Sequence, residues 1–221
     1  VDARTRTGSE SVVDASGVSG AGGAGFAIAP GVSGVTIDGF TVSGVVNGVA
    51  GIHVGEGSSG NRIANNIITG NSTGLVADND DATAPTIVER NRFDSNTAPG
   101  AASGKAISID EITAGGDALG LVIRENSFAN AAALADFAIV IDNEGPEAFT
   151  AITIADNAFE ATTHGVLLVG IADSAISGNT FRSDFAIELS DGRSAGVVAS
   201  SNIAIVANTF DAVDSGIRIS D

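Results

Sequence analysis

The chain has no cysteine, methionine, tryptophan or tyrosine among its 221 residues, and only four prolines and a single lysine, Lys105. Without cysteine no disulfide can form, so the redox compartment is not readable from sulfur, and the lack of thiols is merely compatible with an extracellular site. Basic residues are scarce: nine arginines and Lys105 face 18 aspartates and nine glutamates, for a net charge of −17. Neutralising nucleic-acid phosphates needs clustered basic residues, so nucleic acid is excluded as the expected partner. Acidic surfaces of this kind keep a protein soluble, attract divalent cations or suit high salt. No apolar run reaches 18 residues, so nothing is expected to span a membrane. The three-and-four spacing of an amphipathic helix is absent over any useful length. No signal peptide is visible and the first residue is Val1 rather than Met, which suggests a matured or excised segment. Extracellular or cell-surface localisation is the expectation.

What the chain does have is glycine, 29 residues of it, and a repeated phrase. Two branched apolar residues alternate up to an Asn, a bulky apolar residue follows two positions later, and a variable stretch closes on a small residue and a second apolar pair. The phrase runs through Ile63, Asn66, Ile68, Gly74, Leu75, then Val88, Asn91, Phe93, Ala106, Ile107, and then Ile123, Asn126, Phe128, Ala138, Ile139. It continues as Ile154, Asn157, Phe159, Gly165, Val166, as Ile176, Asn179, Phe181, Ala186, Ile187, and as Ile205, Asn208, Phe210, Gly216, Ile217. An earlier copy, Val35, Ile37, Val42, Gly51, Ile52, has Phe40 in the place of Asn, and Gly25, Phe26 and Ile28 belong to part of an eighth.

Equivalent positions (40, 66, 91, 126, 157, 179, 208) lie 22 to 35 residues apart, a period that marks a solenoid. Alternation within each copy is that of a strand with one buried face. The prediction is an all-β chain wound as a single-stranded parallel β-helix of seven to eight rungs, about 4.8 Å apart and so roughly 35 Å long. No linker interrupts the repeat, so residues 1–221 read as one domain, with 1–34 an irregular first rung and 35–221 regular rungs. Longer connections cluster at 94–105, 110–120, 129–137 and 142–151, and these are the expected walls of any site.

The phrases Ile154-Ala-Asp-Asn157-Ala-Phe159 and Ile205-Val-Ala-Asn208-Thr-Phe210 resemble the repeat of the right-handed parallel β-helix family, shared by pectate lyases, polygalacturonases, phage tailspikes and many bacterial surface proteins. The resemblance implies a right-handed coil and leaves activity open, because one fold hosts many functions. Polygalacturonases of that family carry paired acids, a histidine element and an Arg-x-Lys. Here Asp80-Asp81 is the only paired Asp, Thr163-His164-Gly165 matches half of the histidine element, and Arg218 is followed by Ile219-Ser220 without Lys. An alginate-epimerase signature requires Tyr, which is lacking. Arg90, Arg124 and Arg218 match a lyase base only by residue type, and surface ion pairs explain them equally well. No catalytic residue is assigned, and the balance leans against an enzyme.

The asparagine column Asn66, Asn91, Asn126, Asn157, Asn179 and Asn208 reads as a structural ladder at a bend, since Asn tolerates left-handed backbone and its amide can bond the rungs on either side. The Phe column (Phe93, Phe128, Phe159, Phe181, Phe210) reads as core. Another column places Lys105, Phe137, His164 and Phe185 on successive rungs. Facing outward, its rings would form a platform for sugar rings with Lys105 near a uronate carboxylate; alternation from the following inward Ile favours inward side chains instead. His53 faces outward alone, and two histidines four rungs apart argue against a His-based metal site. Val140 and Leu167 are apolar members of that outward column, and Phe149 is the candidate cover for them. Asp78, Asp80 and Asp81 form the densest acidic run and the candidate Ca²⁺ site, with Asp142, Asn143, Glu144 and Glu147 a weaker second; the default for such a run is a solvated loop. No other cofactor is expected.

Two readings follow. The first is a non-catalytic structural or adhesive rod that associates end to end, an expectation drawn from strands that reach almost to Val1 and Asp221 without a cap. The second is a polysaccharide-binding or polysaccharide-cleaving domain that uses the Lys105–Phe185 face.

Overall fold

The computed structural model describes residues 2–3, 5–6, 11–18, 20, 22–100, 103–110, 118–129, 137–143, 145, 147–160, 163–190, 198–211 and 214–220. They contain strands and no helix. Each strand pairs in parallel with its counterpart one coil away, and the pairs build three eight-stranded sheets. The first sheet runs from Ser11–Asp14 through Phe40–Ser43 and Ile67–Thr69 to Thr209–Phe210. The second runs from Ala24–Ile28 through Ala50–Val54 and Thr73–Val76 to Ser215–Ser220. The third starts at Thr36–Asp38 and Arg62–Ala64 and includes Ile171–Ser177, against which Ser201–Val206 pairs. The chain visits the third, first and second sheets in turn, then starts a new coil. Third-sheet strands beginning at 36, 62, 87, 122, 153, 171 and 201 give seven coils, and the strands at 11 and 24 supply part of an eighth.

Registers are set by the repeat. Ile63 lies beside Val88, Ile123 beside Ile154 and Ile154 beside Ile176, so like residues stack into columns that face the interior. Phe93, Phe128, Phe159 and Phe181 are fully buried, with ring centroids 5.1, 4.9 and 4.5 Å apart and planes within 12° of parallel. Phe210 continues the stack at 5.5 Å and is 36% exposed on the last coil. Phe149, expected as an outer cover, is a core residue instead: it is 2% exposed and pairs with Ile171 in the third sheet, which turns its ring into the coil.

The asparagines stand at the corner between the third and first sheets, inside the coil. The backbone N–H of Asn91 and its Nδ2 both donate to Oδ1 of Asn126, at 2.9 and 3.1 Å, while Nδ2 also donates to the Ile63 carbonyl at 2.8 Å. The pattern repeats from Asn66 to Asn208, and the ladder begins where the Phe40 N–H donates to Asn66. Each interior amide thus uses two donors and two acceptor lone pairs, its full capacity. The left-handed residue of the corner is not the Asn. It is the one before: Asn65, Arg90, Glu125, Asp156 and Ala207, with φ of 53° to 54°, and Gly178, with φ of 66°. The reason is directional: the amide has to enter the coil, so the preceding residue makes the bend and points out.

A second, shorter ladder closes the corner between the first and second sheets. The Val45 N–H donates to Asn71 Oδ1 at 3.1 Å, and Asn71 Nδ2 donates to Asn96 Oδ1 at 3.1 Å.

Candidate functional site

Where a second-sheet strand begins, the small residue of the repeat bulges inward. Phe137 pairs with His164 and Ile139 with Val166, while Ala138 and Gly165 are skipped in the register. Ala106, Ala138 and Ala186 belong to the core, and a Cβ on Gly165 would lie 2.8 Å from Cδ1 of Phe181. The inward position is thereby taken, and the residue before it turns outward. The inward orientation that alternation favours for the Lys105 column is therefore overturned, because the bulge inserts one residue and reverses the side-chain parity.

Phe137, His164 and Phe185 are half-buried and stacked: the His164 ring lies 4.3 Å from Phe137 at 30° and 4.9 Å from Phe185 at 12°. Lys105 is half-buried on the coil below, and Ser215 follows Phe185 on the coil above. Burial lowers the His164 pKa below its ordinary value against the opposing pull of Glu188 and Asp184, and its Nδ1 is buried without a hydrogen-bond partner. Sequence-predicted ring residues are thus brought together as one continuous outer strip.

The acidic run is not gathered. Asp78 is 2% exposed and accepts the Ser58 N–H at 3.1 Å, Asp81 accepts from the N–H and hydroxyl of Thr83, and Asp80 is exposed. Asn79, within the same run, holds the neighbouring coil by donating to the Leu119 carbonyl. In the second acidic segment Asn143 is buried and donates to the Gly170 carbonyl at 2.9 Å, and Glu144 lies outside the described residues. Among the described residues no group of three or more His, Asp or Glu side chains is placed to hold a metal ion. Much of the expected loop wall, residues 111–117 and 130–136, also lies outside them.

The half-match to a hydrolase does not assemble. Asp80-Asp81 follow the strand of Thr73, which is three rungs from His164 in the column Thr73, Lys105, Phe137, His164, a separation of roughly 14 Å along the stack. Arg90 and Arg124 are turned onto Glu89, and Arg218 lies 4.0 Å from Glu188.

Glu89 sits on the outer face of the third sheet with its side chain 5% exposed. Its Oε1 accepts from Arg62 at 2.6 and 2.9 Å and from Arg90 at 2.8 Å, and its Oε2 accepts from Arg124 at 2.6 and 2.9 Å. Arg62 also reaches Asp38 at 3.1 Å, so the network crosses four coils. Burial pushes the Glu89 pKa up, but the Arg124 and Arg62 hydrogen bonds outweigh it and the net shift is downward.

The model of the right handed beta helix region matches residues 5–181. The chain belongs to the right-handed β-helix family. Comparison with curated proteins and with solved structures gives no match. In this right-handed β-helix the polar features missed by sequence reasoning are the Glu89 network, the buried Asn71–Asn96 ladder and the burial of Glu188, which is 9% exposed beside Leu167 and Arg218. For Asn71 and Asn96 the signal was available, five positions after Asn66 and Asn91. For Glu89 none was, since Arg62 and Arg124 come from other coils through connections of unequal length, and the adjacent Arg90 alone does not mark a network.

Proposed function

We propose that this right-handed β-helix is a non-catalytic structural or adhesive module of a secreted or cell-surface protein. The observation that carries the reading is where its polar groups are spent. Ladder amides are saturated within the coil, and Arg62 and Arg124 are held on Glu89. A cysteine-free, acidic composition is compatible with that setting. The test is incubation with oligogalacturonate, alginate and neutral glucans, with calcium and with chelator. The expected outcome is no new reducing ends and no unsaturated uronate; turnover in any arm refutes the reading. End-to-end stacking belongs to the same proposal, and a sedimentation coefficient that stays constant over a wide concentration range counts against it.

One observation favours a second reading, polysaccharide binding: the outward Phe137–His164–Phe185 strip. Flat apolar rings at rung spacing suit the faces of consecutive sugars, with Lys105 at one end for a carboxylate. A glycan array followed by Phe185→Ala on any hit tests it, and undiminished binding by the variant defeats the strip as the contact.

A further inference from the structure

We propose that the outward strip of the second sheet takes the end of a glycan chain and not its middle, with an acidic terminal sugar seated at Lys105. The proposal rests on the polysaccharide-binding reading of that strip and adds which part of the polymer it takes. The strip stops abruptly at Lys105. Lys105 pairs with Thr73 one rung below, and the inward bulge recurs in the lower coils, where Gly74 and Gly51 are skipped in the register. Thr73 and Ala50 therefore face outward in the same column. Each is nevertheless 0% exposed, whereas Lys105, Phe137, His164, Phe185 and Ser215 are half-buried.

The segment that stands over these lower strand starts comes from the coil of Lys105 itself. After strand Arg92–Asp94 the chain turns down the rod: the Ala98 N–H donates to the Asn71 carbonyl at 3.0 Å, one coil lower, and the Pro99 carbonyl accepts the Asn47 N–H at 2.6 Å, two coils lower. Gly100 lies so close to Ser72 that a Cβ on it would be 2.5 Å from the serine Cβ, and the Gly104 N–H returns to the Ser72 carbonyl at 3.2 Å. Pro99 is exposed, so this strap projects from the corner between the first and second sheets. The rings of Phe137, His164 and Phe185 are 4.3 and 4.9 Å apart, which matches one sugar per rung of about 4.8 Å. A polymer laid along them continues past Phe185 and Ser215 but meets the strap below Lys105. It has to end there.

Charge selects the sugar at that end. The outward neighbours of Lys105 are Thr73, Ser108 and Phe137, none of them charged; Asp136, before Phe137, lies outside the described residues. At the other end Asp184, Asp214 and Glu188 surround Phe185 with one guanidinium, Arg218, and the Asp214 N–H donates to the Asp184 carbonyl at 2.7 Å. Asp184 and Glu188 also place their negative field on His164. A carboxylate is drawn to the Lys105 end and repelled from the Phe185 end, and neutral sugars suit the rings between.

The experiment is calorimetric titration of the whole chain with a neutral glucose tetramer and with tetramers carrying one uronate, at the non-reducing end, at the reducing end or inside the chain. One of the terminal uronates is expected to bind about tenfold more tightly than the internal one and than the neutral tetramer, as for one charge-assisted contact. Lys105→Gln should bring that terminal uronate down to the neutral tetramer, and Phe185→Ala should weaken every tetramer that binds; circular dichroism shows whether each variant is folded. Equal affinity for internal and terminal uronates overturns end recognition and leaves glycan binding on the strip standing. A neutral tetramer that binds as well as the terminal acid overturns the seat at Lys105. Failure of every tetramer to bind, or binding untouched by Phe185→Ala, removes the polysaccharide reading and this proposal with it.

Discussion

The backbone N–H and the side-chain amide of Asn91 converge on one oxygen of Asn126, at 2.9 and 3.1 Å, and neither group is exposed to water. Replacing Asn126 by Ala strands both donors and the Val88 carbonyl that the Asn126 amide serves at 2.8 Å. At about 1–3 kcal/mol for each buried group left unpaired, the variant should lose about 3 kcal/mol or more. Asn208→Ala, on the half-exposed last coil, should lose about 1 kcal/mol. Denaturant midpoints of the two variants give the comparison.

The interior aromatic column predicts a second pair of effects. Phe159→Ala removes a ring stacked between Phe128 and Phe181 and should cost about 3–5 kcal/mol. Gly165→Ala acts on the same column by overfilling it, because the added methyl meets the Ala186 carbonyl and the Phe181 ring; about 1–3 kcal/mol is expected. Thermal unfolding should rank the two in that order.

Glu89 makes stability depend on acid in a defined direction. Its pKa in the folded chain is below the ordinary value of 4.5, so the contribution is complete above that value and disappears as pH falls through the lower, folded pKa. Glu89→Gln should cost about 2–3 kcal/mol at neutral pH, the scale of hydrogen bonds to a charged group. The difference between the two proteins should narrow below pH 4.5, and a difference independent of pH would show that the charge is not what matters.

His164 should titrate below the ordinary 6.5, because its stacked, half-buried ring disfavours the charged form. The unfolded chain then takes up the proton first, so this contribution is present above pH 6.5 and is lost as pH falls through the folded pKa. Phe137→Ala or Phe185→Ala opens one side of the ring to water, and ¹H NMR of the His164 ring should follow its pKa upward in each.

The coil was legible because its residues recur at one place in every turn: Ile, Asn and Phe stack on themselves, and a column of identical side chains announces its register. Legibility ended where identity ceased to repeat. The bend residue is Gly39, Asn65, Arg90, Glu125, Asp156, Gly178 and Ala207 in different coils, and Gly or Asn, the residue types that favour the left-handed region, fill only three of the seven, too few to mark the position. The side taken by the ring strip stayed open, with alternation favouring the interior, because a one-residue bulge at Ala138, Gly165 and Ala186 cannot be seen in alternation that resumes unchanged after it. Glu89 gave no signal because Arg62 and Arg124 lie 27 and 35 residues away, and only the winding makes them neighbours.

Whether the repeated polar residues serve the coil and not an external ligand is decided by hydrogen exchange of the asparagine side-chain amides, read by ¹⁵N NMR with and without calcium and oligogalacturonate. The Nδ2 protons of Asn91, Asn126 and Asn157 should exchange only with global unfolding and keep their shifts in every mixture. Rapid exchange, or shifts that move on adding either component, would contradict it.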